Sequence, residues 1–220
     1  SFTVNIGEIV IDPNDQPYEL IPAEYFENAA AGGIPEGYYV LFGEEERTSD
    51  AGTFGSGSRI FDFGAGGDFV KGLYFRDGYV EYGSTNGYEL PMEANKTYKI
   101  RFNTAMWKDN GTRTRFEIYD ESGEAVLTQM ISNAHNVNGS TGAATGSTVT
   151  ELKFSPEASG NYILRWTSAL DETGNPGFIE IILANVACTY MPNTLGVEEM
   201  LMLTNALENA KNTLAENDEE

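Results

Sequence analysis

The side chains of this sequence that are best suited to chemistry are one tryptophan and several planar polar groups on two predicted strands. If the alternation of the strand Thr97–Asn103 continues past its end, Trp107 falls on the same outward face as the polar positions of that strand. The next predicted strand, Thr114–Tyr119, presents further polar and aromatic side chains outward and is expected to lie beside the first. The residues predicted to share this face, and to bind a ligand there, are Trp107, Arg101, Asn103, Arg115, Glu117 and Tyr119.

This mixture of groups matches the chemistry of a sugar ring. The C–H faces of a sugar stack on aromatic rings, while its hydroxyl groups need planar donors and acceptors such as arginine, asparagine and glutamate. We therefore predict that Trp107 is a stacking platform. In the alternative interpretation, Trp107 caps the core at a strand end and the charged groups form ordinary cross-strand pairs. Trp166 differs, because it alternates with Tyr162 and Leu164 and is predicted to lie in the core.

The carboxylates of the chain do not define a catalytic pair. With 34 acidic residues, pairs such as Asp62 with Asp68 are expected by chance, whereas a glycosidase holds two carboxyl groups roughly 5–10 Å apart across a sugar. The sequence contains no GxSxG elbow, HExxH motif, EF-hand loop or phosphate-binding P-loop. No catalytic residue is assigned, and the sequence favours binding over catalysis.

The composition narrows the classes of partner and cofactor. A formal charge of −21 disfavours nucleic-acid phosphates, so no nucleic acid is expected as a partner and neutral ligands or cations are favoured. If the predicted face binds sugar, the partner is a polysaccharide or oligosaccharide. Cys188 is the only cysteine and His135 the only histidine, which excludes an internal disulfide and a Cys/His zinc site. No cofactor is predicted, although acidic loops could hold a structural calcium ion whose ligands the sequence does not identify.

Short aromatic and β-branched segments, bounded by glycine, proline, asparagine or aspartate, predict an all-β fold. Their alternation of apolar and polar residues favours a jelly-roll sandwich of two antiparallel sheets. The same alternation predicts that Tyr98, Ile100, Phe102, Phe116 and Ile118 point into the core. The pair Asp77-Gly78 lies between two aromatic-rich runs and predicts a hairpin over Leu73–Tyr82. The nine predicted strands are Tyr38–Phe42, Ser58–Phe63, Phe69–Phe75, Tyr79–Tyr82, Thr97–Asn103, Thr114–Tyr119, Glu151–Phe154, Asn161–Thr167 and Gly177–Cys188.

The sequence divides into a β-sandwich over residues 1–193 and a C-terminal amphipathic helix with an acidic tail over residues 194–220. Asn133–Thr150 is rich in glycine, serine, threonine and asparagine, and predicts a long surface loop. Ser1–Ala51 is only loosely patterned and receives no assignment. The apolar stripe of the helix needs a partner, which predicts a protein contact through Val197, Met200, Leu201, Leu207 and Leu214.

The hydropathy of the chain indicates whether it contains a membrane-spanning segment or a signal peptide. No run approaches the roughly 18 apolar residues that cross a membrane, so no membrane insertion is predicted. The first ten residues, SFTVNIGEIV, lack the basic and then apolar pattern of a signal peptide. We therefore expect the chain to be a mature form or an excised module.

Several segments give the chain a resemblance to a known group of β-sandwiches. Asp120–Gly123 matches a D-x-x-G turn, and Gly160–Leu164 matches a G-x-Y-x-L strand. The chain resembles the galactose-binding-like jelly rolls, specifically the carbohydrate-binding modules of bacterial polysaccharide-degrading enzymes or surface glycan-binding proteins. The segments that carry the resemblance are GLYF (72–75), NKTYKIRFNTAMWK (95–108), RTRFEIYDESGEAV (113–126), FSPEASGNYILRW (154–166) and FIEIILANVACTY (178–190).

The resemblance implies a function and a location. It implies a non-catalytic module, secreted or on a bacterial cell surface, that targets a parent enzyme or the surface to a neutral polysaccharide. Ala184-Asn185 replaces the acidic residue that the group carries in its closing strand, which counts against a calcium site near that strand. Two other functions stay open: a structural or adhesive surface domain that mediates protein contacts, and a β-sandwich glycoside hydrolase or lyase.

Overall fold

The fold is a β-sandwich of two antiparallel sheets. The computed structural model describes residues 15–22, 25–42, 45–47, 59–83, 89–107, 111–134, 146–169, 180–192 and 205–211. Within these ranges nearly all regular structure is strand, and a short helix lies near the C-terminus. The predicted all-β jelly-roll class with a C-terminal helix is therefore confirmed.

The described part of the chain alternates strands with tight turns. The short helix α1 covers Tyr25–Asn28, and a second helix, α2, covers residues 205–211. The strands are β1 (Tyr18–Ile21), β2 (Tyr38–Phe42), β3 (Glu45–Arg47), β4 (Arg59–Asp62), β5 (Lys71–Arg76), β6 (Gly78–Tyr82), β7 (Pro91–Met92), β8 (Thr97–Met106), β9 (Arg113–Tyr119), β10 (Ala125–Ser132), β11 (Thr148–Phe154), β12 (Gly160–Asn161), β13 (Ile163–Ala169) and β14 (Glu180–Met191).

Two six-stranded sheets form the layers of the sandwich. The first sheet has the order β11-β8-β14-β5-β4, with β1 also paired to β14. The second sheet has the order β10-β9-β13-β6-β2-β3. The pair β12-β7 stands apart from both sheets. Strands that follow each other in sequence therefore often belong to different sheets, as in a jelly roll.

The Asp77-Gly78 turn joins the two sheets. β5 before it belongs to the first sheet and β6 after it to the second, so the predicted hairpin over Leu73–Tyr82 is wrong. Asp77 has a φ of 52°, and the Gly78 N–H donates to Ser168 Oγ at 3.2 Å. These features make a sharp corner between the layers. An Asp-Gly pair thus signals a tight turn, but it does not determine whether the two arms pair with each other.

The main hydrophobic core lies between the sheets and confirms the predicted inward faces. Phe102 of the first sheet contacts Phe116 and Trp166 of the second, with ring centroids 4.8 and 5.5 Å apart. All three rings are fully buried. The other predicted inward residues of these strands, Tyr98, Ile100, Ile118, Tyr162 and Leu164, are also in this core.

The strand β10 is one of the two edge strands of the second sheet among the described residues, and β3 is the other. It pairs with β9, and its sequence, AVLTQMIS, carries no charged side chain. Val126 is 45% exposed, and only Ile131 of the strand is buried. The sequence did not predict β10, because apolar residues lie on both faces of the strand, with Leu127 and Ile131 on the core side and Val126 and Met130 on the other, and so show no alternation.

The strand β11 begins inside the predicted loop Asn133–Thr150. Thr148, Val149 and Thr150 pair with Thr104, Asn103 and Phe102 of β8. The loop prediction is therefore wrong at its C-terminal end, because threonine and valine have high strand propensity even in a polar stretch. Residues 135–145 of the predicted loop lie outside the described residues.

The chain separates into two compact units, one of residues 18–191 and one of residues 1–17 with 192–220. In the second unit, Leu207 of α2 is partly buried, while the rest of this helix is exposed. The other positions of the predicted apolar stripe lie outside the described ranges. The protein contact through the C-terminal helix stays a prediction. Neither described helix is long and apolar enough to cross a membrane.

The thiol of Cys188 provides a test of the core. Cys188 is fully buried, and burial raises the pKa of its thiol to about 12. Since the thiolate is the reactive form, we expect a disulfide reagent at about pH 8 to leave the folded protein unmodified and to label the denatured chain. A colorimetric thiol assay with and without denaturant measures this. Stoichiometric labelling of the folded protein within minutes would contradict the burial.

The same burial links stability to pH. The folded-state pKa of Cys188 lies above its unfolded value, so the buried neutral thiol stabilises the fold fully below the unfolded pKa. This contribution is lost as the pH rises from the ordinary thiol pKa of 9.0 through the folded value of about 12.

Candidate functional site

The predicted ligand-binding residues of β8 lie on the outer face of the first sheet, but they do not form an open platform. Strand parity places Trp107 on the same side as Arg101 and Asn103, as predicted. However, Trp107 is only 8% exposed and Asn103 only 2%. Arg101 is partly buried.

Aromatic side chains cover Trp107. Its ring centroid lies 5.0 Å from that of Phe61, 5.1 Å from Tyr74 and 6.3 Å from Phe63. Phe63 and Phe69 are buried in the same cluster, which is separate from the main core. The chain segment that carries these phenylalanines therefore lies over the outer face of the first sheet. The role of Trp107 as an exposed stacking platform is corrected for this reason.

Asp68 anchors the covering segment. Its carboxylate accepts hydrogen bonds from the Ser147 backbone N–H at 2.6 Å and from Ser147 Oγ at 2.8 Å. These hydrogen bonds hold the pKa of Asp68 below its ordinary value. Asn103 Nδ2 donates to the same Ser147 Oγ at 2.8 Å, and Asn185 Nδ2 donates to the Asp68 carbonyl at 3.2 Å. Asn103 is therefore part of the anchor rather than of an open surface.

Replacing Trp107 with alanine should therefore destabilise the fold. Loss of a buried tryptophan costs about 3 kcal/mol of unfolding free energy or more, because the surrounding rings do not refill the space. Trp107→Phe is the matched control and should recover most of this loss. Urea unfolding followed by far-ultraviolet circular dichroism measures the difference, and an unchanged midpoint for Trp107→Ala would show that the ring is not packed.

The predicted residues of β9 lie on a different sheet from those of β8. Arg115, Glu117 and Tyr119 project from the outer face of the second sheet, where β9 pairs with β10 and β13. The prediction that all six residues share one face is therefore wrong. The physical reason is that the chain crosses from one layer to the other between β8 and β9, so the two strands are not neighbours.

The outer face of the second sheet brings together aromatic and charged side chains from four adjacent strands. Strand register aligns Tyr39, Glu81, Arg165 and Glu117 in one row across the sheet. The next outward row contains Tyr79, Thr167 and Arg115. We call this surface the tyrosine–arginine face; it consists of Tyr39, Tyr79, Glu81, Arg115, Glu117, Tyr119, Arg165 and Thr167.

Arg165 occupies the centre of the tyrosine–arginine face. Its guanidinium carbon lies 4.3 Å from the ring centroid of Tyr79 and 4.3 Å from that of Tyr119. Its Nε and Nη2 both donate to Oε1 of Glu81. Burial alone would lower the pKa of Arg165, but the charge and hydrogen bond of Glu81 outweigh burial and raise it. Arg165 is therefore a permanent cation held between two rings.

The other charged groups of the face also form an ion pair. Arg115 Nε donates to Glu117 Oε2 at 3.1 Å, and Glu81 and Glu117 are each only 6% exposed. Tyr79 and Tyr119 are partly buried, and burial raises the pKa of both phenols, so both keep their protons at neutral pH. The rings of Tyr39 and Tyr79 lie 6.2 Å apart and extend the aromatic surface onto β2.

One hydroxyl on the face has an unmet hydrogen-bonding requirement. Thr167 Oγ1 is buried and has no hydrogen-bond partner among the described residues. In register, Thr167 lies between Tyr79 and Arg115. An unsatisfied buried hydroxyl costs about 1–3 kcal/mol of folding free energy, and because this oxygen is buried it offers a ligand no direct contact.

Sequence reasoning missed five of the eight residues of the tyrosine–arginine face. Tyr39, Tyr79, Glu81, Arg165 and Thr167 were not assigned to the site, although alternation with buried neighbours places each of them on the outward side of its strand. Arg165 stands between the core residues Leu164 and Trp166, which places it on the opposite side of β13. What the sequence lacked was the strand order, because only the order shows which outward residues are neighbours.

The described residues do not define a metal site. Within the described ranges no three histidine, cysteine, aspartate or glutamate side chains converge. A structural calcium ion stays a prediction without assigned ligands.

Comparisons with known proteins show similarity at the level of fold. No protein-family model and no curated protein sequence matches the chain. Among solved structures, it is similar to the xylan-binding domain of a Paenibacillus barcinonensis xylanase, a family 22 carbohydrate-binding module (10% identity, 82% of this chain, 96% of that chain, TM-score 0.42). The adhesin domain of the Porphyromonas gingivalis Lys-gingipain is also similar (14% identity, 81% of this chain, 99% of that chain, TM-score 0.44).

A third similar structure contains a module of the same family joined to a catalytic domain. It is the Clostridium thermocellum endo-1,4-β-D-xylanase 10B in complex with xylohexaose (14% identity, 82% of this chain, TM-score 0.43). This chain spans 30% of the length of that structure. At these identities the likeness concerns the sandwich alone.

Proposed function

We propose that the tyrosine–arginine face binds a neutral polysaccharide without changing it chemically. The observation that carries the proposal is the stack of Tyr79, Arg165 and Tyr119, in which the guanidinium carbon lies 4.3 Å from each ring centroid. This stack lies on the side of the second sheet that faces away from the core, and its rings are partly exposed. Ordered aromatic rings on such a surface are suited to a ligand that has flat apolar faces.

The polar groups around the rings suit the rest of a sugar. The phenol of Tyr79 is protonated and can donate a hydrogen bond to a ring hydroxyl, whereas the phenol of Tyr119 is hydrogen-bonded to Glu117 and can accept one. The partly exposed guanidinium of Arg115 adds further donors beside the rings. Stacking on the rings and hydrogen bonding to these groups together provide affinity and orientation.

The charges of the face favour a neutral ligand over an acidic one. Arg165 is paired with Glu81 and Arg115 with Glu117, so these four groups sum to zero. A uronate carboxylate would therefore have to compete with Glu81 or Glu117 for either arginine. The charge of −21 on the chain further repels polyanions. We extend the proposal to a location outside the cell or on its surface, where polysaccharides are found.

Retention on polysaccharides tests this function. Purified protein is mixed with three neutral polysaccharides (xylan, β-glucan and agarose) and two acidic ones (polygalacturonate and alginate). We expect retention on at least one neutral polysaccharide, none on the acidic pair, and no soluble sugar released. Soluble products would favour a hydrolase or lyase instead. Absence of retention would favour the structural or adhesive role, and retention on the acidic pair alone would contradict the charge argument.

A further inference from the structure

Arg165 has contacts that differ from those of a ligand-binding arginine. Strand register places it directly between Glu81 of β6 and Glu117 of β9. Two of its nitrogens are committed to one oxygen of Glu81. Its guanidinium is therefore held by the protein along one edge before any ligand arrives.

The two rings flank the guanidinium from opposite sides. Tyr79 pairs with Thr167, two residues after Arg165 on β13, and Tyr119 pairs with Ile163, two residues before it. The rings thus approach from different neighbouring strands and from different ends of β13. Both ring centroids lie 4.3 Å from the guanidinium carbon, a distance at which a cation is attracted to an aromatic face.

We propose that Arg165 is a positioning residue of the tyrosine–arginine face, which fixes the rings of Tyr79 and Tyr119 in the orientation that stacks on sugar. This inference depends on the proposed function of the face. A tyrosine ring that is already ordered loses little side-chain entropy on binding, so the cost of binding falls. Arg165 then raises affinity through the two rings rather than through its own contact with the ligand.

Replacing Arg165 with lysine or with methionine separates the positioning role from a simple effect of its charge. Lysine keeps the positive charge but lacks the flat guanidinium that stacks between two rings. Methionine keeps a similar stem and removes the charge. Arg101→Met is the matched control, because Arg101 is a partly buried arginine on the outer face of the other sheet.

Two measurements are made on each variant. Near-ultraviolet circular dichroism in the tyrosine band reports ring order in the free protein, and affinity electrophoresis in gels containing soluble xylan or β-glucan reports binding. We expect Arg165→Lys and Arg165→Met to lose part of the tyrosine signal and to bind about tenfold more weakly, which corresponds to an ordering cost of about 0.7 kcal/mol for each of the two rings that the ligand must then immobilise. Arg101→Met should match the wild type in both measurements.

The outcomes distinguish the inference from the proposed function. Wild-type binding by Arg165→Lys, or weaker binding with an unchanged tyrosine signal, would overturn the positioning role. If Arg165→Met does not fold because Glu81 loses its partner, Arg165→Lys still decides. If the wild type binds no polysaccharide, the proposed function fails, while the tyrosine signal of the free variants still shows whether Arg165 orders the rings.

Discussion

Replacing Trp166 with alanine should remove about 4–5 kcal/mol of unfolding free energy, the largest stability loss we expect from a single change in this chain. Trp166 is fully buried, and its ring centroid lies 5.5 Å from that of Phe102 and 5.4 Å from that of Phe116. It therefore bridges the two sheets. Since domains are stable by only about 5–15 kcal/mol, much of the Trp166→Ala population should unfold near body temperature.

Trp166→Phe is the control for this experiment. It keeps an aromatic ring between the sheets and removes an indole N–H for which no described residue provides a hydrogen-bond acceptor. We expect it to lose about 2 kcal/mol or less, because removal of an unsatisfied donor offsets part of the lost packing. Urea unfolding followed by circular dichroism measures both variants. Equal losses for alanine and phenylalanine would contradict the bridging role.

Replacing Tyr79 with alanine should reduce affinity for the bound neutral polysaccharide by about thirtyfold or more, which corresponds to about 2 kcal/mol for an aromatic residue at the centre of an interface. Tyr79 contacts Arg165 and lies 6.2 Å from Tyr39, so its loss interrupts the aromatic surface of the face. Its ring is only partly buried and lies outside the core, so the fold should persist. Retention on xylan and β-glucan, compared with the thermal midpoint, separates binding from stability.

Tyr18→Ala is the matched control for Tyr79→Ala. Tyr18 is 43% exposed and pairs with Tyr190 in the first sheet, so it is an accessible tyrosine that is not part of the proposed face. We expect this variant to bind like the wild type. If Tyr18→Ala loses as much affinity as Tyr79→Ala, binding does not depend on the tyrosine–arginine face.

The alternation along single strands was enough to predict the core. Phe102, Phe116 and Trp166 were each assigned inward from their own strand, and all three are fully buried. This works because the side-chain period of a strand is a local property. The same rule placed Arg115, Glu117 and Tyr119 outward, and the structure places them on the outer face of the second sheet.

The candidate site could not be assembled in the same way, because its neighbours are set by strand order. Arg165 of β13 donates hydrogen bonds to Glu81 of β6, and these two residues lie 84 positions apart in the chain. β8 and β9 are close in sequence, yet they belong to different sheets. The burial of Trp107 depends likewise on Phe61 and Phe63, which come from far upstream.

The uncharged strand β10 also has a consequence for the behaviour of the protein in concentrated solution. An edge of this kind normally carries lysine, proline or a bulge that discourages another strand from adding to it. β10 has no lysine or proline, and the register shift in its pairing lies near its start, between Ala125 and Leu127. Colloidal stability therefore depends on mutual repulsion between molecules that carry a charge of −21. Near the isoelectric point of about 4.2 this repulsion vanishes, and we expect acidic storage buffers to promote growth of filaments in which sheets join edge to edge.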